Sequence, residues 1–292
     1  MPVPLVENAP AKVNLTLRVV GRRADGYHEI ESLVTFADFG DRLSLVPGGA
    51  LTLSVRGPGA AQAGQDDDNL VVKAARALAA RNPAIALGAF SLDKRLPVAA
   101  GLGGGSADAG ATLRLLARAN GLSRDDSRLY EAASSTGADV PVCLDPQTRV
   151  MRGIGEVLSK PLALPPLAAV LVNPGVAVAT KAVFAEWTAA AAPAAALGLA
   201  PLDKPTSREQ LLEFLATRSN DLEAPAIALA PVIAEVLAAL RAVADCRLAR
   251  MSGSGATCFA LLGSAASAQR AAELLRRRHP RWWVRAGTLA GE

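Results

Sequence analysis

The stretch LPVAAGLGGGSADAGATLRLLARANG, residues Leu96–Gly121, decides how the first half of the chain folds. It starts as an extended run, passes through glycine at four of the five positions 101–105, and continues into a predicted helix that Gly121 ends. A glycine-rich turn at a helix N-terminus gathers unpaired backbone N–H groups at the positive end of the helix dipole, and this arrangement binds phosphate. Ser106 is predicted to cap the helix or to bond a phosphate oxygen. A glycine-rich helix entry without a ligand is the alternative at this point.

Composition bounds the class of protein. The chain has 292 residues, enough for two domains, and 51% of them are apolar, which indicates a compact globular protein. The formal net charge is only +4, and the basic residues are scattered except near the end of a late predicted helix. Cations suit that helix end because of the dipole, so the charge gives little support to nucleic-acid binding.

Cysteine usage and the N-terminus indicate the compartment. Cys143, Cys246 and Cys258 show no CxxC spacing, which disfavours a disulfide framework and a zinc site. The first residues, MPVPLVENAP, lack the pattern of a signal peptide, and proline-broken apolar runs fall short of the roughly 20 residues of a membrane span. We expect a cytoplasmic protein that does not enter a membrane.

The N-terminal segment is predicted to be strand-rich. Residues Ala11–Val20 are predicted to form a half-buried strand, because apolar and polar side chains alternate from Ala11 to Val19, which puts Lys12 and Asn14 on the exposed face. Two separate strands are predicted at Ile30–Phe39 and Arg42–Val46.

The C-terminal half is predicted to follow the order β-α-β-β-α-β of the ferredoxin-like motif, with one long helix over Pro225–Val243. Prolines near residues 160–166 suggest a domain boundary, whereas the Ala/Pro-rich segment Thr188–Pro205 carries little information. The fold class is therefore α+β, divided into domains at residues 1–162 and 163–292.

Three further features stand far apart in the sequence. Taken singly, Lys12 reads as a solvated strand lysine, Asp139 as a turn or capping aspartate, and Gly253–Gly255 as a hairpin turn. Only their combination with the glycine-rich stretch favours a shared site.

Together these segments resemble a known family. PAKVNL (10–15), PVAAGLGGGSADA (97–109) and MSGSGAT (251–257) are similar to the three signature segments of the GHMP kinases, which include galactokinase, homoserine kinase, mevalonate kinase and phosphomevalonate kinase. With GYHE (26–29) and TGADVP (136–141), the resemblance is closest to the branch whose acceptor carries a cytidine diphosphate group, and it extends nearly end to end.

The resemblance implies a two-domain GHMP-kinase fold with ATP and acceptor bound between the domains. The N-terminal domain would be ribosomal-S5-domain-2-like and carry the phosphate loop, and the C-terminal domain would be ferredoxin-like. The implied reaction is ATP-dependent phosphorylation of the 2-hydroxyl of 4-diphosphocytidyl-2-C-methyl-D-erythritol, giving the 2-phosphate and ADP, in the non-mevalonate route to isoprenoid precursors.

The same resemblance implies catalytic and ATP-binding residues. Asp139 would accept the proton of the acceptor hydroxyl, and Lys12 beside it would keep the carboxylate ionised and steady the developing charge. Asn69 and Lys94 would lie near the adenosine. The residues that would wrap the ATP phosphates are Gly101, Leu102, Gly103, Gly104, Gly105 and Ser106.

The acceptor-binding residues are implied in the same way. Tyr27, His28 and Phe184 would hold the cytosine, since an aromatic ring offers a stacking face and imidazole offers hydrogen bonds at its edge. Asn14 would line the acceptor pocket. The residues that would close its floor are Gly253, Ser254 and Gly255.

Magnesium is expected because it accompanies ATP, yet no acidic residue can be assigned as its ligand, so phosphates and water would hold it. Ala107 stands where many members of the superfamily carry a second serine, which removes a side-chain contact there. The GxxxxGK[ST] pattern of P-loop enzymes and the protein-kinase motifs are absent.

Two alternatives stay open. One is a GHMP kinase with another acceptor, such as homoserine or mevalonate, although these have no base for GYHE and Phe184 to bind. The other, from fold analogy alone, is a non-catalytic nucleic-acid binder. We expect a small-molecule partner and no nucleic acid, and the sequence leaves monomer and homodimer open.

Overall fold

The computed structural model describes residues 3–64, 66–187 and 207–290. The strands are β1 Leu5–Asn14, β2 Arg18–Arg22, β3 His28–Pro47, β4 Thr52–Arg56, β5 Gly88–Asp93, β6 Arg149–Gly153, β7 Val157–Leu158, β8 Leu167–Asn173, β9 Cys246–Met251, β10 Cys258–Leu262 and β11 Trp283–Leu289. The helices are α1 Leu70–Arg81, α2 Gly104–Ala119, α3 Ser127–Thr136, α4 Val140–Leu144, α5 Thr180–Glu186, α6 Arg208–Ala216, α7 Glu223–Leu229, α8 Val232–Arg241 and α9 Ala265–Arg278. Within the described ranges, no helix combines the length and apolar character needed to cross a bilayer.

Contacts divide the chain into two compact units. The first unit comprises Met1–Lys12, Phe39–Val98 and Gly103–Pro146, and the second comprises Val13–Asp38, Ala99–Leu102 and Gln147–Glu292. The units are thus interleaved in sequence, with unit changes between Lys12 and Val13 and between Leu102 and Gly103. A domain boundary between residues 162 and 163 stays a prediction. The segment Thr188–Pro205 lies outside the described residues.

The first unit packs helices beside a small mixed sheet. Strand β5 pairs in parallel with β4 and antiparallel with the later part of β3, over residues 42–47. Asn69 is the N-cap residue of helix α1, and its side chain accepts the Val71 N–H. The helix packs against α2 and α3. The buried apolar residues of α1 and α2 include Val71, Ala75, Leu78, Leu113 and Leu116.

One glycine sets how closely two helices of this unit approach. A Cβ at Gly110, in the middle of α2, would collide with the backbone carbonyl of Cys143 in α4. Glycine therefore lets α4 lie directly against the α2 backbone. This contact positions the residue that precedes α4, which is Asp139.

The second unit contains an antiparallel sheet in the order β11-β8-β10-β9. Helices α8 and α9 pack on this sheet. With α8 between β8 and β9 and α9 between β10 and β11, the order confirms the predicted ferredoxin-like motif. Its fully buried core residues include Val170, Val172, Ile233, Leu240, Ala260, Leu262 and Ala272.

Further strands of the second unit form hairpins. The first part of β3 pairs antiparallel with β2 and with β6, and β6 pairs antiparallel with β7. The turn at residues 23–27 between β2 and β3 carries Tyr27, and His28 begins β3.

The structure corrects three predicted elements. The strand predicted over Ala11–Val20 is divided between β1, which ends at Asn14, and β2, which begins at Arg18. Residues Ile30–Phe39 and Arg42–Val46 belong to one strand, β3, because the polar and glycine residues between them stay in extended pairing. The helix predicted over Pro225–Val243 is two helices, α7 and α8, which meet at Ala230 and Pro231. Proline disfavours helical dihedrals at the residue before it, and Ala230 accordingly adopts φ −140° and ψ 83°.

Candidate active site

The glycine-rich stretch forms a loop that opens directly into α2. Gly103 is the N-cap residue, with φ 59° in the left-handed region, and no side chain caps the helix. The Ala107 N–H makes the first hydrogen bond of the turn, to the Gly103 carbonyl. The N–H groups of residues 104–106 precede that bond and have no acceptor within the helix, so they point outward as donors for an anion. Ser106 lies inside the first turn and is not the cap, so the predicted capping role is wrong, whereas the bond to a phosphate oxygen stays a prediction.

Two buried lysines lie against this helix start. A Cβ at Gly103 would be 3.1 Å from Lys12 Cε, and a Cβ at Gly104 would be 3.2 Å from Lys94 Nζ. Glycine at these positions therefore lets the backbone N–H groups and the lysine side chains share a small volume. The free N–H groups and the helix dipole favour an anionic ligand at the helix start, close to the Lys12 ammonium.

Lys12 and Asp139 form an ion pair, with 2.9 Å between Lys12 Nζ and Asp139 Oδ2. The Lys12 side chain is only 5% exposed, whereas that of Asp139 is 38% exposed. Lys12 was predicted on an exposed strand face, and it is buried because its side chain lies between Gly103 and Asp139. Asp139 occupies the N-cap position of α4 but makes no capping hydrogen bond. Its carboxylate therefore stays available to a ligand while Lys12 holds it.

The nearby thiol does not compete as a nucleophile. Burial, with a smaller contribution from Asp139, raises the pKa of Cys143 to about 12. The thiolate is the reactive form, so Cys143 is inert at neutral pH.

Lys94 belongs to a buried cluster that the sequence did not predict. Its Nζ lies 2.5 Å from Asp41 Oδ2 and 2.6 Å from Asp108 Oδ2. Asp41 Oδ1 also accepts the N–H groups of Arg95 and Leu96, which fixes the chain after β5. Burial and the charge of Asp41 raise the pKa of Asp108 to about 8, despite the opposing effect of Lys94.

The two residues predicted near adenosine have structural partners of their own. The Lys94 ammonium is engaged by the carboxyl groups of Asp41 and Asp108. Besides capping α1, Asn69 donates from Nδ2 to the carbonyls of Ala63 and Gly64, at 3.1 Å each. Asn69 thus organises the turn before α1, and a role near adenosine stays a prediction for both residues.

In the second unit, Asn14 and the Ser252–Gly255 turn lie together. The Asn14 N–H donates to Ser252 Oγ at 3.1 Å, and its Nδ2 donates to Ser32 Oγ at 2.7 Å. A Cβ at Gly253 would be 3.3 Å from Asn14 Oδ1. Asn14 was predicted to be exposed, and these hydrogen bonds explain how its polar side chain is buried instead.

His28 lies in an aromatic cluster of the second unit. Its ring stacks on Phe184 with 4.9 Å between centroids, and the Trp187 ring lies nearly perpendicular to it with 5.7 Å between centroids. Burial, followed by the charge of Arg22, lowers the pKa of His28. The structure brings His28 and Phe184 together, while Tyr27 is 61% exposed on the preceding turn. Trp187 was not predicted, because a lone tryptophan at a helix end carries no motif.

Ser254 connects this turn with the helix that carries Phe184. Its hydroxyl lies 2.9 Å from Thr180 Oγ1, at the first residue of α5. The second unit therefore places Gly253, Ser254, Asn14 and the aromatic cluster in a connected set of contacts, apart from Tyr27.

Comparisons with known proteins identify two domains of one family in the chain. The GHMP kinases N terminal domain matches residues 69–145, and the GHMP kinases C terminal domain matches residues 204–281. The first range includes the glycine-rich loop and Asp139, and the second includes the Ser252–Gly255 turn. This confirms the predicted α+β GHMP-kinase fold.

Curated relatives match over almost the whole chain. The 4-diphosphocytidyl-2-C-methyl-D-erythritol kinase of Bradyrhizobium diazoefficiens is 57% identical over 297 residues, covering 99% of each chain. The enzyme of the same name from Rhodopseudomonas palustris is 57% identical over 295 residues, covering 98% of this chain and 97% of its own.

Solved structures give the same result. The crystal structure of a 4-(cytidine 5'-diphospho)-2C-methyl-D-erythritol kinase has a TM-score of 0.78 at 37% identity, covering 99% of this chain and 100% of the other. Homoserine kinase from Cytophaga hutchinsonii, at 19% identity and a TM-score of 0.69 over 99% of this chain and 96% of its own, shares the fold. On sequence and structure together, the chain belongs to the 4-diphosphocytidyl-2-C-methyl-D-erythritol kinase family of the GHMP kinases.

Proposed function

We propose that the chain transfers the γ-phosphoryl group of ATP to the 2-hydroxyl of 4-diphosphocytidyl-2-C-methyl-D-erythritol, a step toward isoprenoid precursors. The observation that carries the proposal is the Lys12–Asp139 ion pair beside the Gly103 N-cap of α2. A base, a cation and a row of free N–H donors are the groups that phosphoryl transfer needs. The identity of 57% to a curated relative over 99% of both chains supports this acceptor.

Asp139 accepts the proton of the 2-hydroxyl as the hydroxyl oxygen attacks the γ-phosphorus. The bond from that phosphorus to the bridging β,γ-oxygen breaks, and ADP leaves with the bonding electrons. Lys12 neutralises charge near the attacking oxygen. The N–H groups of residues 104–106 donate hydrogen bonds to the phosphate oxygens and so stabilise the negative charge on them. Positioning contributes most of the catalysis, since the transition state needs little covalent help from the protein.

Magnesium is proposed to enter with ATP. Across residues 3–64, 66–187 and 207–290, no three His, Cys, Asp or Glu side chains are grouped so that they could hold a metal ion. We propose that phosphate oxygens and water hold the Mg²⁺, which is how Mg²⁺ usually binds beside nucleotides. When bound, the ion supplies charge neutralisation at the phosphate oxygens.

The aromatic cluster of the second unit is proposed to recognise the cytosine. The lowered pKa of His28 leaves its imidazole neutral at neutral pH, so it can both donate and accept at a base edge. Phe184 offers a flat stacking face, and the exposed ring of Tyr27 is free to turn toward a ligand. Asn14 and the Gly253–Gly255 turn would contact the methylerythritol part.

The proposal is tested by coupled ADP release with a series of acceptors. We expect turnover with 4-diphosphocytidyl-2-C-methyl-D-erythritol and at most about 1% of its kcat/KM with 2-C-methylerythritol 4-phosphate, homoserine or mevalonate, since losing the base contacts costs about 1–3 kcal/mol per stacking interaction and more for unpaired polar groups. Equal turnover with a cytidine-free acceptor would assign the chain to another branch of the superfamily. Salt-sensitive retention of RNA without any ADP release would instead favour nucleic-acid binding.

A further inference from the structure

Ser252 is a completely buried residue with two long-range hydrogen bonds through one hydroxyl. Its exposed fraction is 0%, although it begins a glycine-rich turn. Its Oγ accepts the Asn14 N–H at 3.1 Å and donates to the Gly101 carbonyl at 2.9 Å. These partners are 238 and 151 residues away in sequence. One oxygen atom thus joins three segments of the second unit.

The two partners have different proposed duties. Asn14 is the last residue of β1, the strand that carries Lys12, and is proposed to contact the acceptor. Gly101 begins the loop proposed to wrap the ATP phosphates. The Ser252 hydroxyl bonds the main chain of both, so it sets where the two backbone segments lie relative to each other.

The surrounding turn holds Ser252 rigidly. Its N–H donates to the Thr257 carbonyl at 2.9 Å, and its carbonyl accepts the Gly255 N–H at 3.0 Å. The Thr257 N–H in turn donates to the Ala100 carbonyl, beside Gly101. A Cβ at Gly101 would collide with the Ser252 carbonyl, so glycine is needed for this approach. The hydroxyl therefore has little freedom to move away from its two partners.

A second side chain fixes the turn from the other side. Asn220 donates from Nδ2 to the Met251 carbonyl at 2.9 Å and to the Gly253 carbonyl at 2.8 Å. Its Oδ1 accepts the Leu222 N–H at 3.0 Å, which ties the amide to the start of α7. The Asn220 side chain thus anchors the residues on both sides of Ser252, Met251 and Gly253.

We propose that Ser252 is a positioning residue for phosphoryl transfer, whose hydroxyl holds the acceptor-side backbone at Asn14 in register with the phosphate loop at Gly101. The inference rests on the proposed function, because it uses the duties assigned to these two segments. Ser252 touches neither the transferred group nor a reacting atom. A displacement of about 1 Å between bound reactants can lower the rate about 100-fold. Loss of the Ser252 hydroxyl, which would shift the Asn14 and Gly101 segments relative to each other, should therefore lower mainly kcat.

The test compares Ser252→Ala with Thr35→Val, which also removes one fully buried hydroxyl. Thr35 Oγ1 makes its hydrogen bond with Thr148 Oγ1, at 2.8 Å, and lies outside the proposed site. With ATP and the acceptor at saturation, we measure the melting temperature, kcat, and the ratio of ADP formed to phosphorylated acceptor formed. Ser252→Cys, which keeps the side-chain volume with a weaker donor, is the second variant if the alanine variant does not fold.

We expect Ser252→Ala to lower kcat about 30- to 100-fold and to raise the ratio of ADP to phosphorylated acceptor, as water replaces a misplaced acceptor. Thr35→Val should keep kcat and the ratio within twofold of the wild type at a similar loss of melting temperature, and Ser252→Cys should be intermediate. A kcat and a ratio within threefold of the wild type in Ser252→Ala, or equal losses in Thr35→Val, would overturn the inference. Absence of acceptor phosphorylation by the wild-type enzyme would count against the proposed function instead, and the comparison would then use the acceptor that the enzyme does phosphorylate.

Discussion

At the scale of single residues, the chemistry depends on a carboxylate that local structure leaves unused. Asp139 stands where a helix N-cap normally bonds a backbone N–H, yet its side chain makes no such bond. The ion pair with Lys12 takes one carboxylate oxygen, at 2.9 Å, and leaves the other for a ligand. The motifs were enough to predict that these two residues belong together. The burial of Lys12 could not be predicted, because strict alternation in a strand does not reveal that both faces are covered.

Replacing Asp139 tests its role as the base. Asp139→Asn keeps the shape of the side chain but removes a proton acceptor, so kcat should fall about 10²- to 10⁴-fold. The dissociation constant for ATP should stay within about threefold, since the free N–H groups of α2 are untouched. Steady-state kinetics and equilibrium titration with a non-hydrolysable ATP analogue measure the two effects. Asp125→Asn, at an exposed loop position, is the matched control; turnover by Asp139→Asn equal to this control would remove Asp139 from the mechanism.

The two histidines provide an internal comparison for acceptor binding. His28→Ala removes the ring that stacks on Phe184, and we expect the KM of the acceptor to rise about tenfold or more, with that of ATP nearly unchanged. His279→Ala also removes a stacked ring, 3.7 Å from Trp282, but outside the proposed site, and should leave both KM values unchanged. Equal increases in the two KM values of His28→Ala would contradict the cytosine assignment.

The protonation state of His28 gives a pH dependence. Its lowered pKa means that the imidazole is mostly neutral at pH 7 and gains a proton at a lower pH than an unperturbed histidine does. We therefore expect the KM of the acceptor to be constant from pH 7 to 8 and to rise in acid, as the neutral ring that accepts a hydrogen bond is lost. The same rise in a His28→Gln variant would show that another group titrates.

At the scale of elements, the helix α2 and its glycine entry were predicted almost in full. Gly121 has φ 66°, as expected for a left-handed stop after the helix. The sequence reveals this element because its glycines, its apolar spacing and its stop are all local signals. The break between α7 and α8 was missed, although Pro231 is a local signal, because apolar spacing continues across it.

Substitutions at two glycines with left-handed dihedrals distinguish the effect of backbone strain on stability from an effect on ATP binding. Gly103→Ala and Gly121→Ala both place a side chain at positive φ, at a cost of about 1–2 kcal/mol each. Only at Gly103 would the new Cβ meet Lys12, at 3.1 Å from Cε, whereas nothing lies within 4 Å at Gly121. We expect similar losses in the free energy of unfolding, but a large rise in the KM of ATP for Gly103→Ala alone. A normal KM for ATP in Gly103→Ala would contradict the placement of the phosphates at this helix start.

At the scale of the whole molecule, the fold class and the order of the C-terminal strands could be predicted from the sequence. The contacts between residues far apart in the sequence could not. Lys94 takes Asp41 and Asp108 as partners from positions 53 and 14 residues away. A cluster assembled from residues so far apart leaves no periodic pattern in the sequence. The hydrogen bonds of Ser252 could not be predicted for the same reason, since its partners are 238 and 151 residues away. The interleaved units could not be predicted either, because the sequence was divided into contiguous segments, whereas residues 13–38 and 99–102 belong to the same unit as the C-terminal part.

The buried cluster makes the stability of the molecule depend on pH. The pKa of Asp108 is about 8 in the folded protein and near 4 in the unfolded chain, so the folded state binds the extra proton between these values. The contribution of Asp108 to stability is therefore greatest in acid and is lost as pH rises from about 4 to 8.

Asp108→Asn removes this contribution while keeping the shape of the neutral acid. Urea unfolding at pH 5, 7 and 9 should show that the wild type loses stability relative to the variant as pH rises, with the difference constant above pH 9. Asp125→Asn, which is exposed, should run parallel to the wild type. Parallel curves for Asp108→Asn as well would show that this carboxyl does not titrate in the range.

The most direct measurement is a crystal structure with a non-hydrolysable ATP analogue and 4-diphosphocytidyl-2-C-methyl-D-erythritol bound together. The account predicts the triphosphate at the N–H groups of residues 104–106 and the acceptor 2-hydroxyl within about 2.6–3.2 Å of the Asp139 carboxylate, facing the γ-phosphorus. Density that places the triphosphate away from α2, or the 2-hydroxyl beyond reach of Asp139 with another base in contact, would contradict it.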